Sequence, residues 1–161
     1  MVGLAVLSCF AGFLIGAACI GTVIARKYRK ELINRKHDIE KLQYMVRVYD
    51  VWMMVNKEKK TIAGALQEKG IHSIAIYGMS YLGNRLYHEL EESGIDVKYG
   101  IDMDTTIRLR NLRTISPTEM GDDVDAVVVT ALTAFDTVKA NLERKGYKNI
   151  VSLDEVLYDW L

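Results

Sequence analysis

Beyond residue 25 the chain has no cysteine; its two, Cys9 and Cys19, both lie in an apolar N-terminal segment. A disulfide framework for the remainder is thereby excluded, and a reducing compartment fits. Net charge is missing as well. Lys plus Arg and Asp plus Glu number 21 each, so the balance gives no sign of a nucleic-acid partner, and none is expected. The three histidines, His37, His72 and His88, are scattered without ligand spacing, and no metal centre is expected from them.

What is present is unevenly placed. Val2 to Ala25 carries no charged residue, and Arg26, Lys27, Arg29, Lys30, Arg35 and Lys36 follow at once. As a helix, that charge-free run would reach about 36 Å at ~1.5 Å per residue, enough for a hydrocarbon core of ~30 Å. No Lys or Arg precedes it. A cleaved signal peptide needs a positive leading region and a shorter apolar core, and this segment has neither. VLSC at Cys9 leaves almost no leading region for a lipoprotein signal, and GAAC at Cys19 has Gly16 where a bulky aliphatic is usual. Residues 1–25 therefore read as an uncleaved transmembrane anchor. Positive charge stays inside, so the expectation is a single-pass protein of the cell membrane, N-terminus outside and the rest cytoplasmic. Ser8, Gly12 and Gly16 recur every four residues. Either they let two anchor helices approach closely, or they reflect the small residues common in membrane spans.

Residues 26–60 form the next segment, a basic, amphipathic juxtamembrane helix whose cationic start would meet anionic headgroups of the lipid bilayer. Ile39, Leu42, Val46, Tyr49 and Met53 step by three and four, with Leu32 one heptad upstream and Met45 and Trp52 widening the stripe. Two readings stay open. The stripe packs on the chain's own domain, or it joins a homodimer through a short coiled coil continuing the membrane helix.

Residues 61–161 read as one α/β domain. Thr61 is an N-cap for a helix over Ile62 to Lys69, ended by Gly70. Strands are expected at Ser73–Tyr77, Val97–Ile101, Arg113–Ile115, Ala126–Thr130 and Asn149–Val151. Between the first two, a helix runs to about Ser93, burying Leu82, Leu86 and Leu90 while Arg85, Glu89 and Glu92 face water. Ser116-Pro117-Thr118-Glu119 and Ser152-Leu153-Asp154-Glu155 are capping boxes, the first for a very short helix ending near Gly121. Thr133 to Lys145 is a further helix, closed by Gly146. The alternation implies a Rossmann-like parallel sheet in the order 3-2-1-4-5, with a crevice between strands one and four at their carboxyl ends.

That crevice gathers the candidate site. Gly78 supplies a sharp turn after the first strand, the amides of Met79, Ser80, Tyr81 and Leu82 converge at the helix start, and Gly83 lets the helix pack close to the strand. Asp102, nineteen residues beyond Gly83, stands where a carboxylate accepts from a ribose hydroxyl and repels a 2′-phosphate, so NAD is favoured over NADP. Thr130 closes the fourth strand at the same edge. Ser80 replaces the usual middle glycine; its hydroxyl either bonds a phosphate or blocks it. Asp102-Met103-Asp104 spells a DxD, but nothing completes a transferase around it. Asp122, Asp123 and Asp125 read as a solvated turn, and Arg108, Arg110 and Arg113 as a basic loop near the site.

Residues from about Tyr49 to Leu161, through IAIYGMSYLGNRLYHELEESGIDVKYGID, DAVVVTALTAFDTVKANL and IVSLDEVLYDWL, resemble a group of small bacterial Rossmann-fold proteins. These are labelled nucleoside-diphosphate-sugar epimerase-like and occur with cell-surface polysaccharide genes. The resemblance implies a domain that holds or senses NAD or a nucleotide sugar, in company with polysaccharide-assembly proteins. The Tyr-x-x-x-Lys pair of true epimerases is absent from the soluble part, and no catalytic residue is assigned. The leading expectation is a non-catalytic, membrane-anchored nucleotide binder, accessory or regulatory in surface-glycan synthesis. A partner-completed epimerase or dehydratase and a ligand-free scaffold are the alternatives.

Overall fold

A computed structural model describes residues 2–107, 109–110 and 112–159, leaving aside the side chains of 2–20 and 23. The chain divides into two compact units, residues 1–44 and 45–161. Helix α1 (Val2–Lys57) supplies the described backbone of the first unit and the opening of the second. In the first unit the described side chains are exposed apart from Tyr44, and Arg35–Glu31 at 2.9 Å and Lys36–Glu40 at 3.7 Å bridge one helical turn. Among the described residues no helix is long and apolar enough to cross a membrane. The expected anchor lies largely on positions whose side chains fall outside that description.

The second unit is the α/β domain, and it begins at residue 45, ahead of the expected boundary at Thr61. The reason is a second apolar stripe on α1. Val48, Trp52 and Val55 repeat at four and three residues and are fully buried, whereas Val46 and Met53 stay exposed. The indole N–H of Trp52 donates to Glu89 Oε2 at 2.6 Å, and Arg85 lies over the ring at 5.9 Å. Glu89 therefore does not face water as expected. Its other oxygen accepts from the Ile62 amide at 3.3 Å, so one half-buried carboxylate joins three helices.

Helix α2 (Ile62–Glu68) starts where Thr61 Oγ1 accepts from the Gly64 amide at 3.1 Å, and Gly70 follows it at φ +73°. Then come β1 (Ser73–Tyr77), α3 (Tyr81–Leu90), β2 (Asp96–Ile101), β3 (Thr114–Ile115), β4 (Ala126–Val129), a 3-10 turn (Leu132–Ala134), α4 (Phe135–Arg144), β5 (Ile150–Ser152) and α5 (Leu153–Tyr158). All strand pairs are parallel, and the sheet order is β3-β2-β1-β4-β5, as the alternation implies. In β4, Ala126 to Val129 are all buried, the mark of a strand covered on both faces. One face packs Ala75, Tyr99, Ile101, Val127 and Val129 against Val138 and Leu142 of α4. Residues of opposite parity, such as Ile74, Ile76 and Val128, are equally buried and turn the other way.

The expected helix after Pro117 is a turn instead. Glu119 reaches back to the Ser116 amide at 3.4 Å as a capping box would. However, Lys145 Nζ donates to the carbonyls of both Pro117 and Glu119, holding the segment open. Gly121 then lies flat against the Tyr99 ring, where a Cβ would come within 2.1 Å of Cζ. Tyr99 donates to the Asp122 carbonyl at 2.8 Å and meets the Tyr147 hydroxyl at 3.2 Å. Burial, then Tyr147, pushes the Tyr99 phenol well above its ordinary range. An extended strap thus covers the sheet in place of a helix.

At the amino edge, Asp125 Oδ2 accepts from the amides of His72 at 2.9 Å and Ser73 at 2.7 Å. Those backbone bonds hold its carboxyl below the ordinary value, so its contribution is present above the unfolded value and lost as pH falls through the lowered folded one. Asp125→Ala is expected to lower the thermal midpoint near neutral pH, and the gap to the parent should shrink below about pH 4. Thermal melts across pH check this. Separately, Glu89→Ala should cost about 1.5–3 kcal/mol in urea unfolding, because it strands a buried indole N–H and an amide.

Candidate functional site

The β1–α3 junction is built by close approach. Gly78 has φ +93°, and a Cβ there would sit 2.8 Å from Thr130 Oγ1. A Cβ on Gly83 would come within 2.1 Å of the Gly78 carbonyl oxygen, so only glycine at 83 lets α3 ride this low on β1. The Gly78 amide is used by the Ile101 carbonyl at 2.9 Å, which ties the turn to the end of β2. Thr130 is buried, and its hydroxyl oxygen lies 2.5 Å from the Gly78 carbonyl oxygen and 3.1 Å from that of Tyr77, with one proton to share between them. Thr130 reaches the expected edge, but its hydroxyl clamps the turn rather than opening toward solvent.

Met79 and Tyr81 point in opposite senses. The Met79 side chain is buried and fills the space above Gly100, whose Cβ would meet Met79 Cγ and Sδ at 2.7 Å. It seals the top of the α3-side core beneath the turn. Tyr81 is 74% exposed and leaves the turn uncovered; its carbonyl accepts from the Tyr49 hydroxyl at 3.3 Å. Ser80 is exposed and is the N-cap of α3, yet makes no side-chain capping bond. The amides of the first turn of α3, Tyr81, Leu82 and Gly83, have no intrahelical partner by geometry and face the same opening. The Leu82 side chain belongs to the core, so only its backbone can serve a ligand.

Asp102 closes the arrangement. Oδ2 accepts from the Met79 amide at 2.6 Å, and Oδ1 accepts from the Asp104 amide at 3.0 Å. The carboxylate is thus aimed at the glycine turn, but it also takes one amide that an incoming phosphate would need. Each oxygen keeps a free lone pair, which suits a hydroxyl donor and opposes an anion at that point. The phosphate-attracting part of the site is therefore displaced toward the start of α3. Burial, then the Asp102 charge, raises the pKa of Tyr77 at the end of β1. Tyr77 lines a cavity of about 330 Å³ with Pro117, Thr118, Asn141, Leu142, Arg144 and Lys145, between the strap and α4.

The other expected groups separate from this point. Asp104 Oδ1 accepts from the amide and hydroxyl of Thr106, at 2.9 and 2.5 Å; the DxD is a pair of local turns. Among the described residues no cluster of His, Cys, Asp and Glu could hold a metal ion. Arg110 pairs with Glu91 at 2.9 Å and Arg113 with Glu119 at 3.6 Å, while Arg108 lies outside the described residues. No protein-family model, curated protein or solved structure matches the chain.

Sequence reading passes over two supports of the site. Thr130 as a clamp is foreshadowed only by a hydroxyl residue ending an otherwise apolar strand. The pairing of Met79 with Gly100 is foreshadowed by a glycine inside β2, which commonly marks close approach. Thr130→Val is expected to cost about 1–2 kcal/mol. Gly83→Ala should cost more, about 3 kcal/mol, because backbone must shift. Urea unfolding of both variants by tryptophan fluorescence tests the ranking; equal stability to the parent would refute the clamp.

Proposed function

We propose that this chain is a single-pass membrane protein whose Rossmann-like domain binds NAD or a nucleotide sugar without turning it over. In this reading it serves as an accessory or regulator of cell-surface polysaccharide synthesis, alongside the assembly proteins of that pathway. One observation carries the ligand: the Asp102 carboxylate stands at the mouth of a glycine turn, 2.6 Å from the Met79 amide, beside a helix start with no side-chain cap. A nucleotide joins two matching chemistries, ribose hydroxyls for Asp102 and phosphate for the amides of α3. A 2′-phosphate would face the carboxylate, so NAD is favoured over NADP.

The anchor is supported by the charge-free run over Val2–Ala25 and by the cationic residues that follow it. Arg26, Lys27, Arg29 and Lys30 are all exposed, free to meet anionic headgroups on the cytoplasmic side. The pathway is supported by the resemblance described above. Non-catalytic binding is supported by the missing Tyr-x-x-x-Lys pair and by the ordinary structural bonds that occupy Asp104, Arg110 and Arg113.

Isothermal titration of the full chain in detergent with NAD, NADP and UDP-sugars tests this. The expected outcome is saturable binding of NAD or a UDP-sugar, with Asp102→Ala weakening it about tenfold or more, roughly one lost hydrogen-bonded pair. Folded protein that binds none of them at millimolar concentration would leave only a ligand-free scaffold.

A further inference from the structure

Among its described side chains, helix α1 carries two apolar stripes, of which one is covered. Val48, Trp52 and Val55 are buried in the second unit. On a different face, Tyr28, Leu32, Ile39, Leu42 and Val46 are exposed by 64, 67, 54, 55 and 65%. Their spacing is four, seven, three and four, which places Leu32, Ile39 and Val46 at one heptad position and Tyr28 and Leu42 at the other apolar one. Arg35 is the only charged residue on the stripe. Glu31, one turn earlier, holds its guanidinium at 2.9 Å, so the long side chain lies along the helix and its stem adds to the apolar surface. The stripe stops where Tyr49 becomes half-buried and donates to the Tyr81 carbonyl.

The charges beside the stripe select its occupant. In this register Glu31 and Asp38 precede the seam residues on one flank, at the position conventionally called g, and Arg29, Lys36 and Gln43 lie on the other, at e. In a parallel, in-register pair, each g residue meets the e residue five positions later on its partner. Glu31 then meets Lys36, and Asp38 meets Gln43. The first pair is opposite in charge and the second is a carboxylate with an amide donor, so neither repels. Both pairs form twice by symmetry. Glu31 and Lys36 are exposed; each pairs one turn along its own helix, with Arg35 and Glu40, and each keeps further acceptor or donor capacity for a partner.

We infer that residues 28–46 of α1 bind a second copy of this chain as a parallel, in-register two-stranded coiled coil. The inference stands independently of the nucleotide reading, since none of these residues borders the β1–α3 turn. Chains emerging from one membrane would also share this direction.

The test uses the full chain in detergent with Cys9→Ser and Cys19→Ser, carrying one new cysteine at a time. Leu32→Cys and Val46→Cys should each cross-link to a like copy on mild oxidation, whereas Lys41→Cys, off the stripe, should not. Cross-linking only between Leu32→Cys and Val46→Cys chains would show an antiparallel pair and overturn the proposal; so would no cross-linking at either site. A charge test compares homodimers with heterodimers in a mixture, where each chain keeps the same contacts within its own helix, although E31K loses the Arg35 pair and K36E the Glu40 pair relative to the parent. E31K and K36E should each self-associate more weakly than the parent, but a mixture of the two should form heterodimers about fivefold or more in preference to either homodimer. A statistical mixture, or monomers by light scattering at micromolar concentration of the parent, would overturn it.

Discussion

The domain depends on how closely helix α3 approaches strand β1. With no Cβ at position 83, the helix meets the Gly78 carbonyl at a distance no other residue permits. That approach sets the direction of the first helical amides, and Thr130 fixes it from β4 by donating to the same turn. Met79 closes the core below, in space vacated by Gly100. Asp102 is then held from two sides by backbone amides. Met79 of the turn, Gly100 in β2, Asp102 just past β2 and Thr130 just past β4 thus converge because one glycine–carbonyl contact is short. Altering any of them acts on the turn before it acts on a ligand.

Placing the acid against the turn has a chemical consequence. An anion pocket made only of amides would favour phosphate outright. Here a carboxylate takes one amide and puts negative charge at the edge of the pocket, which lowers affinity for phosphate at that point and raises it for hydroxyls beside it. In the proposed reading, the site divides into an end suited to sugar hydroxyls and an end suited to phosphate. On that proposal, a nucleotide or nucleotide sugar would be preferred to inorganic phosphate.

The sheet was largely legible in the chain because its signals are local. Ser73–Tyr77 is bounded by an exposed histidine and a glycine, Ala126–Val129 is apolar throughout, and Thr61 and Gly70 bracket α2 as capping chemistry requires. Gly78, Gly83 and Asp102 met at one edge because strand order alone brings them there. The misreadings are tertiary. The segment after Pro117 carries a capping box, yet Lys145 takes its carbonyls and the Tyr99 ring needs Gly121 flat against it. Glu89 reads as a surface residue by helical periodicity, but Trp52 arrives from 37 positions away to use it. On α1, two overlapping apolar stripes compete, and no local rule says that Val48, Trp52 and Val55 face the domain while Ile39, Leu42 and Val46 do not.

The most direct test of the account is the amide proton of Met79, followed by NMR in the full chain while NAD or a UDP-sugar is added. A strong carboxylate hydrogen bond predicts a downfield Met79 resonance that Asp102→Ala moves upfield, and it predicts that Met79, Ser80, Tyr81 and Leu82 shift together as ligand binds. An ordinary Met79 shift, insensitive to Asp102 and silent to every nucleotide while the domain stays folded, would contradict it.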